Sequence, residues 1–274
     1  MLSLKKRIII YCILAVVIFV YLFPIYWTIT TSFKTRQQAE MSAVPVLFPN
    51  PITFDNYRQL LTGDFFKYFS NSMVVSTSNV LLCLILGIPA GYALARSKFK
   101  RRNDIAFWIL SLRFAPPYGA IIPFYLIFTG LGLIDTPFAL ILMYILFNLP
   151  FTIWMMKGFV QDLPADLEEA ALVDGCSRSS ALWRVVFPLI RPGIAATAIL
   201  CFIFAWNEFL FAFILTRTAA RTIPVAIAAY VGYLSIEWGR MCAASTVAFA
   251  PIIVFFLLVQ KHLIRGLTLG AVKG

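Results

Sequence analysis

Six long apolar runs, each bounded by charged residues, divide the chain at roughly 8–33, 69–95, 105–128, 138–156, 193–215 and 242–260. About 20 apolar residues in a helix cross roughly 30 Å of hydrocarbon, so each run is long enough to span a bilayer. Backbone N–H and C=O groups in lipid must be paired within the chain, and these runs are too long for barrel strands. The pattern therefore predicts an all-α integral membrane protein, with residues 1–274 forming a single transmembrane domain of six helices. The first run follows Lys5-Lys6-Arg7 and has the flank of a secretory signal. It continues for about 26 residues, beyond the 7–15 of a signal core, without a small-residue cleavage site. It is read as a retained helix.

The loop between the fourth and fifth runs, 157–192, carries a second pattern. Pro164 suits a first helical turn, and Asp166, Glu168 and Glu169 place negative charge at the positive end of that helix dipole. Leu167, Ala170 and Ala171 fall at i, i+3, i+4, and the two alanines are small enough for another surface to approach closely. Gly175 can adopt the left-handed conformation that ends a helix. Ser177 then offers a cap to a second helix, with Leu182, Val185 and Val186 on one face, until Pro188 stops it. Two short helices joined by a sharp turn are expected. An amphipathic loop lying on the membrane surface and a docking handle for a partner both fit the spacing.

Composition agrees with lipid as the solvent. Residues are 61% hydrophobic and 13% charged, with mean hydropathy +0.87, outside the range of soluble domains. The net charge of +11 has a topological explanation, since short loops rich in Lys and Arg stay cytoplasmic. An inward N-terminus puts 15 of the 23 basic residues inside, seven outside, and Arg113 within the third span. Both termini and the 157–192 loop are then cytoplasmic. The basic residues are scattered among membrane flanks and not gathered on one face, so nucleic acid is not an expected partner. Cys12, Cys83, Cys201 and Cys242 fall in or beside spans and Cys176 inside, leaving none outside for a disulfide. His262 is the sole histidine, so no histidine-based metal site is expected. The G-x-x-x-x-G-K-[ST] pattern is absent from the sequence; uphill work would draw on energy supplied elsewhere.

Polar groups inside spans mark the candidate translocation path, because an intramembrane charge costs a few kcal/mol or more and normally faces the bundle interior or water. Arg113, Asn148, Asn207 and Glu208 qualify. Helix-to-helix hydrogen bonding, or an Arg113–Glu208 ion pair, is an equal alternative to solute contact. Gly87 and Gly91 form a G-x-x-x-G pair that permits close helix approach, and Pro89, Pro116, Pro117, Pro123 and Pro150 are expected to kink or break helices. Most of the 26 Phe are assigned to lipid or helix packing. The outer loops 34–68 and 216–241 are placed to meet a soluble protein.

Glu169-Ala170-Ala171, three residues, Gly175, nine residues, and then Val185-Val186-Phe187-Pro188 resemble the signature loop of permease subunits of binding-protein-dependent ABC importers. Cys176, Val185 and Phe187 depart from the usual Ala, Ile and Leu, all mild replacements. Thr53 to Tyr57, Gly91 to Arg96, Ala205-Trp206-Asn207-Glu208 and Gly266 to Gly274 are similar to the smaller permease of maltose-type sugar importers, so the resemblance runs through nearly the whole chain.

That resemblance implies a permease subunit of an ATP-driven carbohydrate importer in the bacterial inner membrane, without catalysis of its own. It implies docking of a cytoplasmic ATPase on Glu168, Glu169, Ala170, Ala171, Asp174, Gly175 and Pro188. A second ATPase contact through Gly270, Val272, Lys273 and Gly274 is implied too, although a glycine-rich tail can equally stay disordered. The implied partners are a second permease subunit in a heterodimer, two ATPase copies that hold ATP and Mg, and an extracytoplasmic sugar-binding protein. This chain itself is expected to bind no cofactor or metal. An ion-coupled secondary transporter is the alternative; it should show paired repeats and intramembrane carboxylates, where this chain offers Glu208.

Overall fold

The computed structural model describes residues 4–42, 44–114, 117–232 and 235–271. The elements are α1 (Leu4–Ser32), α2 (Asp55–Thr62), α3 (Phe65–Arg96), α4 (Arg102–Ser111), α5 (Pro117–Gly130), α6 (Pro137–Gln161), α7 (Asp166–Val173), α8 (Arg178–Ala181), α9 (Phe187–Leu189), α10 (Arg191–Trp206), α11 (Leu210–Leu215), α12 (Ile223–Ala228) and α13 (Trp238–Ala271). The described residues contain an isolated bridge between Val231 and Ile236 and no strand. Among the described residues four helices are long and apolar enough to cross a membrane, or up to six spans if each of two bent pairs is one span.

Two of the six runs are broken. The third arrives as two helical stretches, Arg102–Phe114 and Gly119–Gly130, inclined at 87° to each other. The fifth is divided into α10 and α11 by Asn207, Glu208 and Phe209. Conversely, Pro89, Pro123 and Pro150 lie inside α3, α5 and α6, which remain assigned as continuous helices. Single prolines in a membrane helix are tolerated where neighbouring groups take up the freed carbonyl.

The chain gathers into two compact units, residues 1–67 with 226–250, and 68–225 with 251–274. In the first, α1 buries none of its apolar window, a surface suited to lipid or another membrane subunit. Its C-terminal end is tied to the Thr53–Tyr57 segment. Asn56 Nδ2 donates to the carbonyls of Ser32 and Lys34 at 2.9 Å each, and the Ser32 and Tyr57 hydroxyls lie 2.7 Å apart. Lys34 is 2% exposed, with its ammonium 3.0 Å from Thr31 Oγ1 and 3.9 Å from the centre of the Trp27 ring. Burial lowers its pKa.

In the second unit α6 is the central rod. Ala139, Leu140, Met143 and Tyr144 pack with Val75, Phe128, Ala205, Phe211, Ala212 and Leu215. Toward the C-terminal end of α6, Met156 and Val160 join Ile88, Tyr92 and Ala95 of α3 and Leu182, Val186 and Ile190 of the following loop. The close approach of α3 and α6 depends on Gly87 and Gly91. A Cβ on Gly91 would stand 2.6 Å from Met156 Cβ and 2.8 Å from Lys157 N, and one on Gly87 would stand 2.5 Å from Thr152 Cγ2. A buried polar cross-brace joins the same helices, Asn148 Nδ2 donating to Asn79 Oδ1 at 2.7 Å, and a second contact ties α6 to α10, with Thr152 Oγ1 3.2 Å from Cys201 Sγ.

Candidate coupling and translocation sites

Beyond α6 the chain makes the two-helix turn expected from its spacing. Gly175 has φ +86°, the left-handed value that lets the backbone reverse after α7, and the Ser177 hydroxyl accepts from Ser180 N at 3.2 Å to start α8. Three details differ from the expectation. Helix α7 begins at Asp166, two residues after Pro164. Its buried face consists of Glu168 and Ala171, while Leu167 and Ala170 are exposed. Pro188 does not end the second helix: a π turn at Leu182–Val186 leads directly into α9, and the chain bends by 78° only before α10. In the wider turn Phe187 N reaches back to Leu182 O, which loosens the helix just before the residue that lacks an N–H.

The burial of Glu168 has a polar cause. The Tyr92 hydroxyl donates to its Oε1, Arg96 Nε donates to its Oε2 at 2.8 Å, and Arg96 Nη2 also reaches Leu163 O at 3.1 Å. Arg96 and Glu168 side chains are 18% and 9% exposed, so this ion pair is far less screened than a surface one. It clasps the first turn of α7 to the last turn of α3. Sequence spacing missed the clasp because its members are more than 70 positions apart. The opposite face, with Leu167, Glu169, Ala170, Val173 and Asp174, is exposed. Of the expected tail contact, Val272, Lys273 and Gly274 lie outside the described residues and Gly270 falls in α13.

The four intramembrane polar residues do meet. Arg113, Asn148, Asn207 and Glu208 line one cavity of about 570 Å³, together with Tyr144, Phe147, Phe204 and Phe209 to Phe211. Their bonding corrects the ion-pair expectation: no Arg113–Glu208 pair occurs among the described residues. The Arg113 guanidinium lies 4.2 Å from the Phe204 ring centre and 4.8 Å from that of Phe151, with Nη1 3.3 Å from Phe147 O. Glu208 accepts from Phe211 N at 2.9 Å and Ala212 N at 3.1 Å, and the Tyr144 hydroxyl lies beside it. The carboxylate thus serves the orphan N–H groups where α11 restarts, which explains why the fifth run breaks here. Asn148 is 3% exposed and committed mainly to the helix cross-brace, whereas Asn207 is exposed on the wall with Nδ2 on Ile203 O at 2.9 Å.

A further anchor lies at the N-terminal end of α6. Asp135, at φ +60°, accepts from the backbone N–H groups of Arg217, Thr218, Ala219 and Ala220 at 2.9–3.2 Å. Asn71 Nδ2 donates to the carbonyls of Ala219 and Arg221, and Ile223 N to Ser72 Oγ, completing the hold on this loop. Burial by itself raises the Asp135 carboxyl, but the four N–H donors outweigh it and hold the pKa at about 2. Because the folded value is depressed, the stabilisation is complete above the ordinary value of 3.8 and is lost only as pH falls toward 2. Hydrogen exchange of residues 217–220 is therefore expected to show unchanged protection from neutral pH to about pH 5 after correction for intrinsic exchange. Asp135→Asn should remove that protection at every pH, at a cost on the order of 2 kcal/mol.

Residues 87–269 match the family described as binding-protein-dependent transport system inner membrane component. The diacetylchitobiose uptake system permease protein DasC of Streptomyces coelicolor is 36% identical, over 95% of both chains. The trehalose transport system permease protein SugB of Mycobacterium tuberculosis is 39% identical, over 92% of this chain and 93% of that one. A crystal structure of a bacterial ABC transporter involved in the import of the acidic polysaccharide alginate contains a chain with TM-score 0.78 and 26% identity, covering 95% of this chain and 98% of that one. The family match spans well over half of the sequence and the relatives align end to end, so this chain belongs to the binding-protein-dependent transport system inner membrane components and is a multi-pass permease subunit of an ABC importer.

Proposed function

We propose that this permease serves a carbohydrate importer, as one half of a heterodimeric pore, and that α7 to α9 form its docking surface for a cytoplasmic ATPase. The observation that carries the docking role is the two-sidedness of α7. One face is clasped through Glu168 to Tyr92 and Arg96, while Leu167, Glu169, Ala170 and Val173 stay open to a partner. A helix bound only to lipid headgroups has no need of an ionic clasp to a membrane-spanning helix. ATP hydrolysis belongs to separate subunits, here proposed as two copies holding ATP and Mg, with an extracytoplasmic sugar-binding protein delivering solute. The transport systems of the diacetylchitobiose and trehalose relatives support a sugar as cargo. The basic-residue distribution supports cytoplasmic termini and a cytoplasmic loop. ATP-driven closure of the two ATPases would displace α7, and the clasp would carry that displacement into α3. The ion-coupled alternative finds no support, since Glu208 is bonded to backbone N–H groups and the family is ATP-driven.

Co-purification tests the docking role. Detergent extraction of the tagged chain with its co-expressed subunits should recover the ATPase. Gly175→Leu should lose it while still inserting in the membrane: a Cβ there meets nothing within 4 Å, and the left-handed backbone costs a branched residue about 1–2 kcal/mol and redirects α8. Glu169→Lys, on the open face, should lose it without disturbing the fold. Retention of ATPase by both variants would refute docking at this loop.

A further inference from the structure

The cavity beside α11 holds two opposite charges that do not touch. Arg113 is carried between two phenylalanine rings, and Glu208 is carried by the first N–H groups of α11. In a low-dielectric interior, opposite charges sharing a cavity gain most by closing on each other. Here each is instead supported from its own side, with the cavity left open next to both.

We infer that this cavity is a solute subsite within the subunit and that it accepts a neutral saccharide unit while disfavouring a uronate. The inference rests on the importer reading above and deepens it. The guanidinium presents donors only and the carboxylate acceptors only. A hydroxyl donates and accepts, so a polyol can satisfy both walls together. A sugar carboxylate would satisfy Arg113 but meet Glu208 as a like charge across the same cavity. Phe147, Phe204, Phe209 and Phe211 supply apolar surface for the C–H faces of a pyranose, and Asn207, its amide bonded to Ile203 O, stands exposed on the same wall as a reporter position. About 570 Å³ lies within the 300–1,000 Å³ typical of small-ligand sites.

Accessibility of the wall measures occupancy directly. Asn207→Cys, made in a variant whose Cys12 and Cys176 are Ser, is labelled with a small methanethiosulfonate in the purified importer, with millimolar trehalose, diacetylchitobiose or digalacturonate as probe. At least one neutral sugar should slow labelling several-fold, with digalacturonate having little effect. Arg113→Gln should abolish protection, and Glu208→Gln should raise protection by digalacturonate by about tenfold in apparent affinity, the equivalent of 1.4 kcal/mol. Arg113→Lys retains the charge without the planar stack and serves if the Gln variant fails to assemble; it should weaken protection. Equal protection by neutral and acidic probes, or none by any, would overturn the inference, and the Asn207→Cys reporter with native Arg113 and Glu208 decides this without the Arg and Glu variants. Absence of the ATPase from the purified wild-type complex would instead refute the importer reading, a separate result.

Discussion

Charge reversal at the clasp, Glu168→Lys or Arg96→Glu, should abolish solute uptake, and the exchange Arg96→Glu with Glu168→Arg should restore a substantial part of it. Either single change leaves two like charges in contact at a site where the native side chains are 9% and 18% exposed. Breaking one partner of a buried pair typically costs about 3–5 kcal/mol, more than a hundredfold in an equilibrium. The swap re-forms an ion pair, although Tyr92, which now donates to Glu168, would have to accept from an arginine instead. Three readouts separate transmission from mere folding: membrane yield, ATPase co-purification and uptake per ATP hydrolysed. The expected pattern for the milder Glu168→Gln is an assembled complex that hydrolyses ATP but moves little solute. A fall of all three measures together would make the clasp a folding element only.

Gly91→Leu is expected to prevent stable assembly of the α3–α6 pair, and Gly91→Ala to destabilise it by about 1–3 kcal/mol. Two of the three atoms that a Cβ would strike are backbone, Lys157 N at 2.8 Å and Ile153 O at 3.0 Å, so no side-chain rotation relieves the clash. The helices would have to separate, opening the Asn79–Asn148 bond as they do. Thermal aggregation of the detergent-solubilised chain, followed by size-exclusion chromatography, measures the loss. Gly158→Ala on α6, where a Cβ meets nothing within 4 Å, is the matched control and should melt as the wild type does. Equal melting of the Gly91 and Gly158 variants would show that the close approach is not needed.

The apolar runs and the polar loop were readable from residue order because the constraints behind them are local. A bilayer forces internal backbone pairing over about 20 residues. A helix reversal needs a residue that tolerates positive φ, and Gly175 stands where the backbone turns at +86°. The third run breaks between Phe114 and Gly119, where Pro116 and Pro117 signalled it, but the break in the fifth, at Asn207 to Phe209, was not readable from apolarity. Glu208 starts α11 through its carboxylate, which accepts from Phe211 N and Ala212 N.

Residue order by itself determined the membrane as solvent, the helical class and the position of the two-helix turn, because periodicity, length and turn chemistry act between near neighbours. Tertiary packing alone decided which face of α7 turns inward, that Glu168 meets Tyr92 and Arg96, that Asp135 gathers four N–H groups of a loop some 80 positions away, and that Arg113 and Glu208 share a cavity without pairing. Each of these joins groups distant in sequence, and the energy of burying a charge is settled only when every neighbour that solvates it is in place.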